Sequence, residues 1–272
     1  MNDLVIVRGA GDISTGTIHR LYRAGFSVLA LEAERPAAIR RKVAFSEAVY
    51  DGSATVEGVT AIKARDIGEA AALIGAGKLP LLVDPLGESI RQLCPAAVVD
   101  AILAKKNLGT AIDMAALTVA LGPGFSAGAD VHYVIETMRG HNLGRIIASG
   151  SAMPNTGVPG LIGGIGAERV IRSPAAGIFR MLRDIGDVVA AGEPVGAIVS
   201  PEGEVPVPAK ISGVLRGVIR DGYPVTVGFK LADVDPRLAE RANCFTISDK
   251  ARCIAGSVLE LVCAGGIRPR RA

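Results

Sequence analysis

A glycine-rich turn near the N-terminus is the first segment whose residue types could bind a ligand. The turn, Gly9–Gly16, reads GAGDISTG and lies between an apolar run, Leu4–Val7, and a segment of helical pattern, Ile13–Ala24. Glycines let a backbone approach a phosphate closely, and the first turn of a helix offers amide donors and the positive end of its dipole. The groups that we expect to contact phosphate are those of Gly9, Gly11, Ser14 and Gly16.

An acidic residue, Glu32, follows the second apolar run, Ser27–Leu31, and lies 21 residues after Gly11. Dinucleotide-binding proteins place at this spacing the carboxylate that holds a ribose hydroxyl. Two features depart from an ordinary NAD site. Asp12 would set a carboxylate beside the pyrophosphate, which is repulsive unless a cation such as Mg²⁺ intervenes, and Gly16 comes later than the third glycine of G-x-G-x-x-G. The sequence predicts a nucleotide or phosphate site; the alternative is a plain turn capped by Asp12 or Ser14.

A second glycine-rich turn follows the apolar strand that we predict at Leu117–Leu121. It runs from Gly122 to Ala129 and reads GPGFSAGA. In a doubly wound sheet the two turns could lie across the switch point and form one crevice at the carboxyl ends of the strands. We expect main-chain amides and one hydroxyl of this turn to form a second anion-binding nest, at Gly122, Gly124, Ser126 and Gly128.

The strand predicted at Val131–Ile135 is flanked by polar residues. Asp130 and His132 would lie about 6.6 Å apart along it, close enough to share a metal ion or a substrate proton. Basic residues and a further histidine follow directly. We expect a polar site for an anionic ligand, with catalytic candidates His132, Glu136, Arg139 and His141. The alternative is a solvated strand edge in which the imidazoles cap backbone carbonyls.

The elements that must position these groups divide the chain into two parts. With 272 residues, 49% of them hydrophobic, the chain is long enough for two domains. Up to about Gly166, strands alternate with helices, which predicts a Rossmann-like, mostly parallel α/β sheet in a nucleotide-binding domain of residues 1–166. In this part we predict that Val98–Ala104 is helical. Residues 167–272 are predicted to form a small all-β domain that ends in a helix, Ser248–Ala264, with Ser248 as its N-cap.

The predicted all-β domain contains a weak internal repeat. Pro174–Ile178 is followed by Gly186–Gly192, and Pro208–Leu215 is followed by Asp221–Gly228. Each unit has a strand, a turn and a second strand, a pattern that resembles the barrel-sandwich hybrid of biotinyl and lipoyl carrier domains. Those domains carry a modified lysine in the hairpin between their halves, and the corresponding stretch here, Pro201–Val205, has no lysine. We therefore expect the fold without the carrier chemistry.

Composition excludes several classes of function. The net charge of +3 is too balanced for a general nucleic-acid binder, and aromatic residues make up only 4% of the chain, with no Trp for base stacking. The longest uncharged stretch, Met114–Ala129, has 16 residues and is too short to span a bilayer. The four cysteines show no C-x-x-C spacing and no signal peptide is visible, which predicts a cytoplasmic protein with reduced thiols. We expect neither a nucleic-acid nor a membrane partner.

The sequence as a whole resembles the accessory proteins of selenium-dependent molybdenum hydroxylase systems, the YqeB type. The resemblance covers nearly the whole chain and is carried by Arg8–Gly16, Val99–Asn107, Leu121–His132, Val134–Arg145 and Asn155–Gly160. It implies a role in the maturation of a molybdenum hydroxylase, through its cofactor or its selenium. It implies no particular catalytic mechanism.

Three functions remain open on the sequence alone. The first is a maturation factor that binds a nucleotide-bearing ligand, such as the molybdenum cofactor or a dinucleotide, and whose β domain docks on the client hydroxylase. The second is an NAD(P)-dependent oxidoreductase with His132 or His141 as the proton donor. The third is a non-catalytic scaffold in which the glycine turns are purely structural.

Overall fold

The computed structural model describes residues 3–157 and 160–270; Val158 and Pro159, inside one of the segments that carry the resemblance, lie outside the described residues. The chain forms two compact units. Unit 1 comprises the chain up to Pro36, Ala44–Thr156 and the segment from Ile247 onward. Unit 2 comprises Ala37–Val43 and Gly157–Thr246.

Unit 1 is built on a nine-stranded, mostly parallel sheet. Its strands are β1 (Leu4–Arg8), β2 (Ser27–Glu32), β3 (Ser53–Val56), β4 (Val59–Ala64), β5 (Leu79–Val83), β6 (Ala97–Asp100), β7 (Leu117–Leu121), β8 (Tyr133–Ile135) and β9 (Ile146–Ile147). They lie in the order β3-β4-β5-β2-β1-β6-β7-β8-β9. The strands from β4 to β8 are parallel, whereas β3 and β9 pair antiparallel at the two edges. All residues of β1, β6 and β7 are buried, as expected for parallel strands that are covered on both faces.

The α-helices of the described residues all belong to unit 1. They are α1 (Asp12–Arg23), α2 (Ala48–Asp51), α3 (Ile67–Gly75), α4 (Glu88–Leu93) and α5 (Asp249–Ala264). Short 3₁₀ segments lie at Phe45–Glu47 and Ile112–Met114 in this unit, and at Arg41–Val43, Ala167–Arg169 and Leu238–Phe245 in unit 2. None of the helices in the described part of the chain has the length and apolar character that a bilayer crossing needs.

The order of the strands places a switch point at the centre of the sheet. After β1 and β2 the chain forms the edge hairpin of β3 and β4 and returns inward to place β5 between β4 and β2. It then crosses to the other side of β1 and adds β6, β7 and β8 in turn. This is the strand order of doubly wound α/β sheets, whose ligands bind at the carboxyl ends of the strands where the direction reverses. In unit 1 that position lies between the ends of β1 and β6, at Arg8 and Asp100.

The structure differs from the sequence-based expectation at three points. Val98–Ala104 is not helical, because its first residues form β6; a short apolar run does not distinguish a buried strand from a buried helix by periodicity. The closing helix, which the sequence places in the β domain, belongs to unit 1 as α5. It packs there on α1, where a Cβ atom at Gly16 would lie 2.8 Å from the Cβ of Ala251. The predicted boundary at residue 167 also shifts, since Gly157 already lies in unit 2. Ser248 is confirmed as the N-cap, accepting a hydrogen bond from the amide of Ala251.

Unit 2 consists of two antiparallel four-stranded sheets. Its strands are β10 (Val170–Arg172), β11 (Gly177–Met181), β12 (Val188–Val189), β13 (Pro194–Ser200), β14 (Gly203–Pro208), β15 (Gly213–Val218), β16 (Pro224–Val225) and β17 (Lys230–Asp235). One sheet has the order β10-β17-β15-β12 and the other β14-β13-β11-β16. Inward-facing aliphatic residues and Phe179 form one buried core in this unit.

The internal repeat of the sequence appears in unit 2 as an exchange of strands. The first repeat supplies β11, β12 and β13, and the second supplies β15, β16 and β17. β11 pairs with β13 of its own repeat and with β16 of the other, while β15 pairs with β17 of its own repeat and with β12 of the other. Each repeat therefore contributes its middle strand to the sheet of its partner, so neither repeat can complete a sheet alone.

Candidate functional site

The two glycine-rich turns of unit 1 lie at the carboxyl edge of the sheet, on either side of the loop that follows β6. A Cβ atom at Gly9 would lie 2.9 Å from the carbonyl oxygen of Ala101, to which Ser14 Oγ donates a hydrogen bond of 2.7 Å. A Cβ at Gly122 would lie 2.6 Å from Thr137 Oγ1 in the segment after β8, and one at Gly124 only 2.6 Å from the amide nitrogen of Lys106 in the loop after β6. These glycines are therefore required for the close packing of the neighbouring segments.

The other predicted amides of the second turn, those of Ser126 and Gly128, are already hydrogen-bonded to residues that follow the turn. Asp130 Oδ2 accepts the amide of Ser126 at 2.7 Å, and the amide of Gly128 donates to the carbonyl of Val131 at 2.8 Å. Ala127 donates its amide to the carbonyl of Gly150 at 2.7 Å. The carboxylate of Asp130 thus closes a turn, and the predicted anion nest of Ser126 and Gly128 has these amides already bonded.

Gly11 is the position of the first turn that faces open space. A Cβ atom there would meet nothing within 4 Å, and its backbone is extended, with φ −70°. Gly11 is the N-cap of α1 and supplies no side-chain cap to this 12-residue helix. Because first-turn amides have no acceptor within their own helix, the start of α1 presents donors and the positive end of a helix dipole. This is the feature of the predicted site that is best suited to an anion.

Glu32 lies at the predicted place at the end of β2, but both of its carboxylate oxygens are already used. Oε2 accepts the amide of Ala10 and Oε1 accepts that of Ala33, each at 2.8 Å. Burial raises the pKa of Glu32, and the two amide bonds counteract part of that rise. The carboxylate that would bind a ribose hydroxyl in a dinucleotide site instead holds the glycine turn in place.

Replacing Glu32 with glutamine should change how the free energy of unfolding depends on pH. Because the folded-state pKa of Glu32 is raised, its contribution is fully present below the ordinary value of 4.5 and is lost as pH rises through the folded pKa. The wild type should therefore gain stability relative to Glu32→Gln as pH falls from 7 toward 4.5. Urea unfolding at several pH values measures this difference. A difference that is constant with pH, or that changes in the opposite direction, contradicts the assignment.

A buried ionic network occupies the switch point itself. Arg8 Nη1 donates to Thr110 Oγ1 at 2.5 Å and lies 3.8 Å from Asp100 Oδ2, which in turn accepts the Thr110 hydroxyl at 2.5 Å. The side chains of Arg8 and Asp100 are 1% and 2% exposed. Burial raises the pKa of Asp100, and the nearby guanidinium opposes that rise. This network joins the ends of β1 and β6 to the loop of residues 101–116.

Glu136, predicted as a catalytic candidate, also binds two loop amides. Its Oε1 accepts the amide of Met138 at 2.7 Å, and its Oε2 accepts that of Met153 at 2.8 Å. Its side chain is buried. Arg139, three residues later, forms a bidentate ion pair with Asp249, with Nη1–Oδ2 and Nη2–Oδ1 distances of 2.9 and 3.0 Å. The loop after β8 is thereby fixed to the start of α5.

Two lysines that the sequence did not single out lie at this edge. Lys250 is the second residue of α5 and is half-buried. Its pKa is lowered by burial first and then by the positive charges of Arg139 and Lys105, against an opposing effect of Asp12 and Glu136. Partial desolvation also lowers the pKa of Lys105, which stands at φ 65° in the loop after β6. Only the packing of α5 brings Lys250 to this place, so no local sequence pattern marks it.

The structure does not bring all of the catalytic candidates together. His132 precedes β8 and lies at the amino edge of the sheet, where its Nδ1 accepts the amide of Thr118 at 3.0 Å. Glu136, Arg139 and the exposed His141 follow β8 and lie at the carboxyl edge. Within residues 3–157 and 160–270, no group of three or more His, Cys, Asp or Glu side chains is placed to hold a metal ion. Asp130 and His132 are instead bonded to separate backbone amides.

Two further cavities lie away from the glycine turns. One, of about 580 Å³, is lined by His132, Tyr133 and the end of α5, and the other, of about 920 Å³, lies between α4 and residues 109–116. They share Cys94, Pro95 and Ala116 in their walls. Neither contains a residue of the glycine turns.

Comparison with known proteins gives one clear sequence relative. No protein-family model matches the sequence. The chain is 53% identical over 259 residues to the uncharacterized protein YqeB of Escherichia coli (strain K12), an alignment that covers 95% of this chain and 47% of YqeB. The chain therefore spans about half the length of the curated relative that it matches. It is a relative of YqeB over nearly all of its own sequence.

Solved structures give only distant likenesses. A succinylglutamate desuccinylase/aspartoacylase from Rhodobacter sphaeroides is 14% identical, with 86% of each chain covered and a TM-score of 0.29. An aspartoacylase family protein from Mesorhizobium loti is 11% identical, with 86% of this chain and 85% of that chain covered and a TM-score of 0.30. Likenesses of this size carry no weight for the fold or the function of this chain.

Proposed function

We propose that this relative of YqeB is an accessory factor in the maturation of a selenium-dependent molybdenum hydroxylase, and that it binds a nucleotide-bearing ligand such as the molybdenum cofactor. The observation that carries the binding part is the uncapped start of α1 at Gly11, beside the switch point of a doubly wound sheet. The maturation role is supported by the sequence segments that resemble the accessory family.

The ligand contacts in this proposal come mainly from the backbone. The first-turn amides of α1 bind phosphate, and Gly11 leaves the room that a phosphate needs. Asp12 would repel that phosphate unless a cation lies beside it, and the ammonium of Lys250 is close enough to interact with Asp12. Glu32 is not available to a ribose hydroxyl, because both of its oxygens hold amides. This arrangement disfavours NAD(P) bound in the ordinary dinucleotide mode.

The two units take different parts in the proposal. Unit 1 acts as a Rossmann-like nucleotide-binding domain. Unit 2 is proposed to be a barrel-sandwich hybrid of the biotinyl and lipoyl type, which the exchange of β12 and β16 between its repeats supports. Its hairpin between β13 and β14 carries Pro201 and Glu202 in place of a modified lysine. Unit 2 would therefore dock on a client protein and would carry no covalently attached group.

A binding experiment on Gly11→Val tests the ligand site. Valine suits the extended backbone at Gly11 and meets no neighbouring atom, so we expect the variant to fold normally while its side chain blocks the start of α1. Wild-type protein should be stabilised by a molybdopterin nucleotide in proportion to RT ln(1 + [L]/Kd), and Gly11→Val should bind it at least about tenfold more weakly, a change of about 1.4 kcal/mol. Thermal shift and titration calorimetry measure both.

The matched control is Gly75→Val, at the exposed end of α3, where a side chain also meets nothing within 4 Å. It should bind the ligand as the wild type does. If no nucleotide among molybdopterin cytosine dinucleotide, NAD⁺, NADPH and CDP raises the melting temperature, the glycine turns are structural and the proposal fails. Equal affinity of Gly11→Val and wild type would also remove the site.

A further inference from the structure

We propose that the cavity of about 580 Å³ at the amino edge of the sheet in unit 1 is a second binding site, for an uncharged small molecule with an apolar body and a hydrogen-bond acceptor. The acceptor would receive the Nε2 hydrogen of His132. This inference goes beyond the proposed function and does not depend on it, because the cavity lies at the opposite edge of the sheet from the glycine turns. It is carried by the place of the cavity, the chemistry of its wall and one side-chain donor.

The cavity lies where three neighbouring parallel strands begin. Its wall includes Ala96 before β6, Leu117 at the start of β7 and His132 before β8. The end of α5 forms another part of the wall, through Leu261 and Ala264. Small-molecule sites in proteins have volumes of about 300–1,000 Å³, and this cavity falls within that range. It therefore has the size to enclose a small organic molecule.

His132 supplies a hydrogen-bond donor whose identity is fixed by its other contacts. Its Nδ1 accepts the main-chain amide of Thr118 at 3.0 Å. Because an amide nitrogen donates and does not accept, Nδ1 carries no proton and the ring proton lies on Nε2. The ring is half-buried, and none of the described residues forms a hydrogen bond with Nε2. A partly desolvated donor of this kind favours a ligand that brings an acceptor.

The wall of the cavity selects against a charged ligand. Among the described residues that line it there is no Asp, Glu, Lys or Arg side chain. A charged group would lose hydration there without gaining an ionic partner, which is unfavourable. The carboxyl end of α5, which is the negative end of its dipole, also lies at the cavity and disfavours an anion in particular. Pro95, Leu117 and Leu261 offer apolar contact instead.

Protection of Cys94 from alkylation tests the inference. Cys94 follows α4 as its C-cap, is exposed and lines this cavity, so an occupant should slow its reaction with iodoacetamide. Cys253, an exposed thiol outside the described wall, is the internal control, and mass spectrometry resolves the two sites. The probes are acetophenone, which is uncharged and has a carbonyl acceptor, ethylbenzene, which lacks the acceptor, and benzoate, which is an anion. Acetophenone should protect Cys94 at a lower concentration than benzoate and should leave Cys253 unaffected.

Two variants separate the donor from the volume of the cavity. In His132→Asn the side-chain carbonyl can still accept the Thr118 amide, but the donor at the position of Nε2 is lost. The concentration of acetophenone that protects Cys94 should then rise about fivefold, the effect of one net hydrogen bond, whereas that of ethylbenzene should not rise. Ala264→Leu, at the exposed end of α5, fills part of the cavity and should weaken protection by both probes. Its control is Ala72→Leu, an exposed alanine of α3 outside both cavities, which should behave as the wild type does.

Three results would overturn the inference. The first is that acetophenone does not protect Cys94, and the second is that His132→Asn leaves its protection unchanged. The third is equal protection in Ala264→Leu and wild type, which would place the probe in the larger neighbouring cavity that Cys94 also lines. Stronger protection by benzoate than by acetophenone would contradict an uncharged ligand. Gly11→Val should bind acetophenone as the wild type does, so failure of the nucleotide site and failure of this cavity are separate results.

Discussion

Replacing Arg8 with methionine should lower the free energy of unfolding by about 3–5 kcal/mol, the loss typical of removing one partner from a buried ion pair. Methionine fills much of the volume of the side chain, so the main effect is electrostatic. Asp100 would remain 2% exposed with only the hydroxyl of Thr110 and the amide of Ile102 as partners. Thr110 Oγ1 would also lose the hydrogen bond that it accepts from the guanidinium. Urea unfolding followed by circular dichroism measures the loss.

The loss should depend on pH in a defined direction. The pKa of Asp100 is already raised by burial, and removal of the guanidinium would raise it further. A raised folded-state pKa means that stability is lost as pH rises through it, so Arg8→Met should be less destabilised at pH 5 than at pH 8. The double variant Arg8→Met/Asp100→Asn should recover part of the loss at neutral pH, because it removes the buried charge.

An exposed ion pair serves as the matched control for Arg8. Arg65 lies 2.9 Å from Glu69 with 84% of its side chain exposed, and exposed pairs of this kind contribute little to stability because water screens them. Arg65→Met should therefore leave stability nearly unchanged. A loss in Arg8→Met no larger than that in Arg65→Met would mean that the network at the switch point does not stabilise the joint between β1 and β6.

The sequence predicts the centre of the sheet well because the parallel strands are short, mostly apolar runs between turn residues. β1, β2 and β7 are found where the pattern places them. The hairpin of β3 and β4 was not anticipated, because an edge strand with exposed residues has no distinctive apolar pattern. At β6 the sequence predicts the wrong element, a helix at Val98–Ala104, because periodicity cannot distinguish a strand from a helix in so short an apolar run.

The candidate site was predicted only in part, because the sequence shows residue types and not the neighbours that use them. The glycine pattern of the two turns predicts room for a ligand, yet Gly9 and Gly122 leave room for adjacent segments of the chain. Glu32 stands at the spacing of a ribose-binding carboxylate, but the amide of Ala10 already occupies it. Lys250 lies more than 200 residues from the first turn in the chain. Its position depends on the tertiary packing of α5, which no local pattern encodes.

The repeat in unit 2 is visible in both sequence and structure, because each repeat needs a glycine at the equivalent position for steric reasons. Gly177 and Gly213 open β11 and β15, the equivalent first strands of the two repeats. A Cβ at Gly177 would lie 2.5 Å from the carbonyl oxygen of Val199, and one at Gly213 would collide with that of Asp235. The two glycines therefore face the same kind of obstacle, a main-chain carbonyl group of the strand that pairs with their own. This group belongs to Val199 in β13 and to Asp235 in β17.

Substitution of Gly213 by alanine should consequently lower the free energy of unfolding of unit 2 by about 3 kcal/mol, at the upper end of the usual cost of overpacking. The obstacle is a backbone carbonyl, which cannot rotate away as a flexible side chain could, so β15 and β17 would have to separate. Hydrogen exchange of the amides in these two strands, together with urea unfolding, measures the change and locates it in the sheet of β10, β17, β15 and β12.

The control for Gly213→Ala is Gly222→Ala, in a turn of the same unit. A Cβ at Gly222 meets nothing within 4 Å, so its alanine variant experiences only the strain of a left-handed backbone at φ 74°, about 1–2 kcal/mol. Gly213→Ala should be the more destabilised of the two, and Gly177→Ala should resemble it because it occupies the equivalent place in the first repeat. If Gly213→Ala and Gly222→Ala were equally stable, β15 and β17 could separate at little cost, and the close approach of their backbones would not be what requires glycine at both repeat positions.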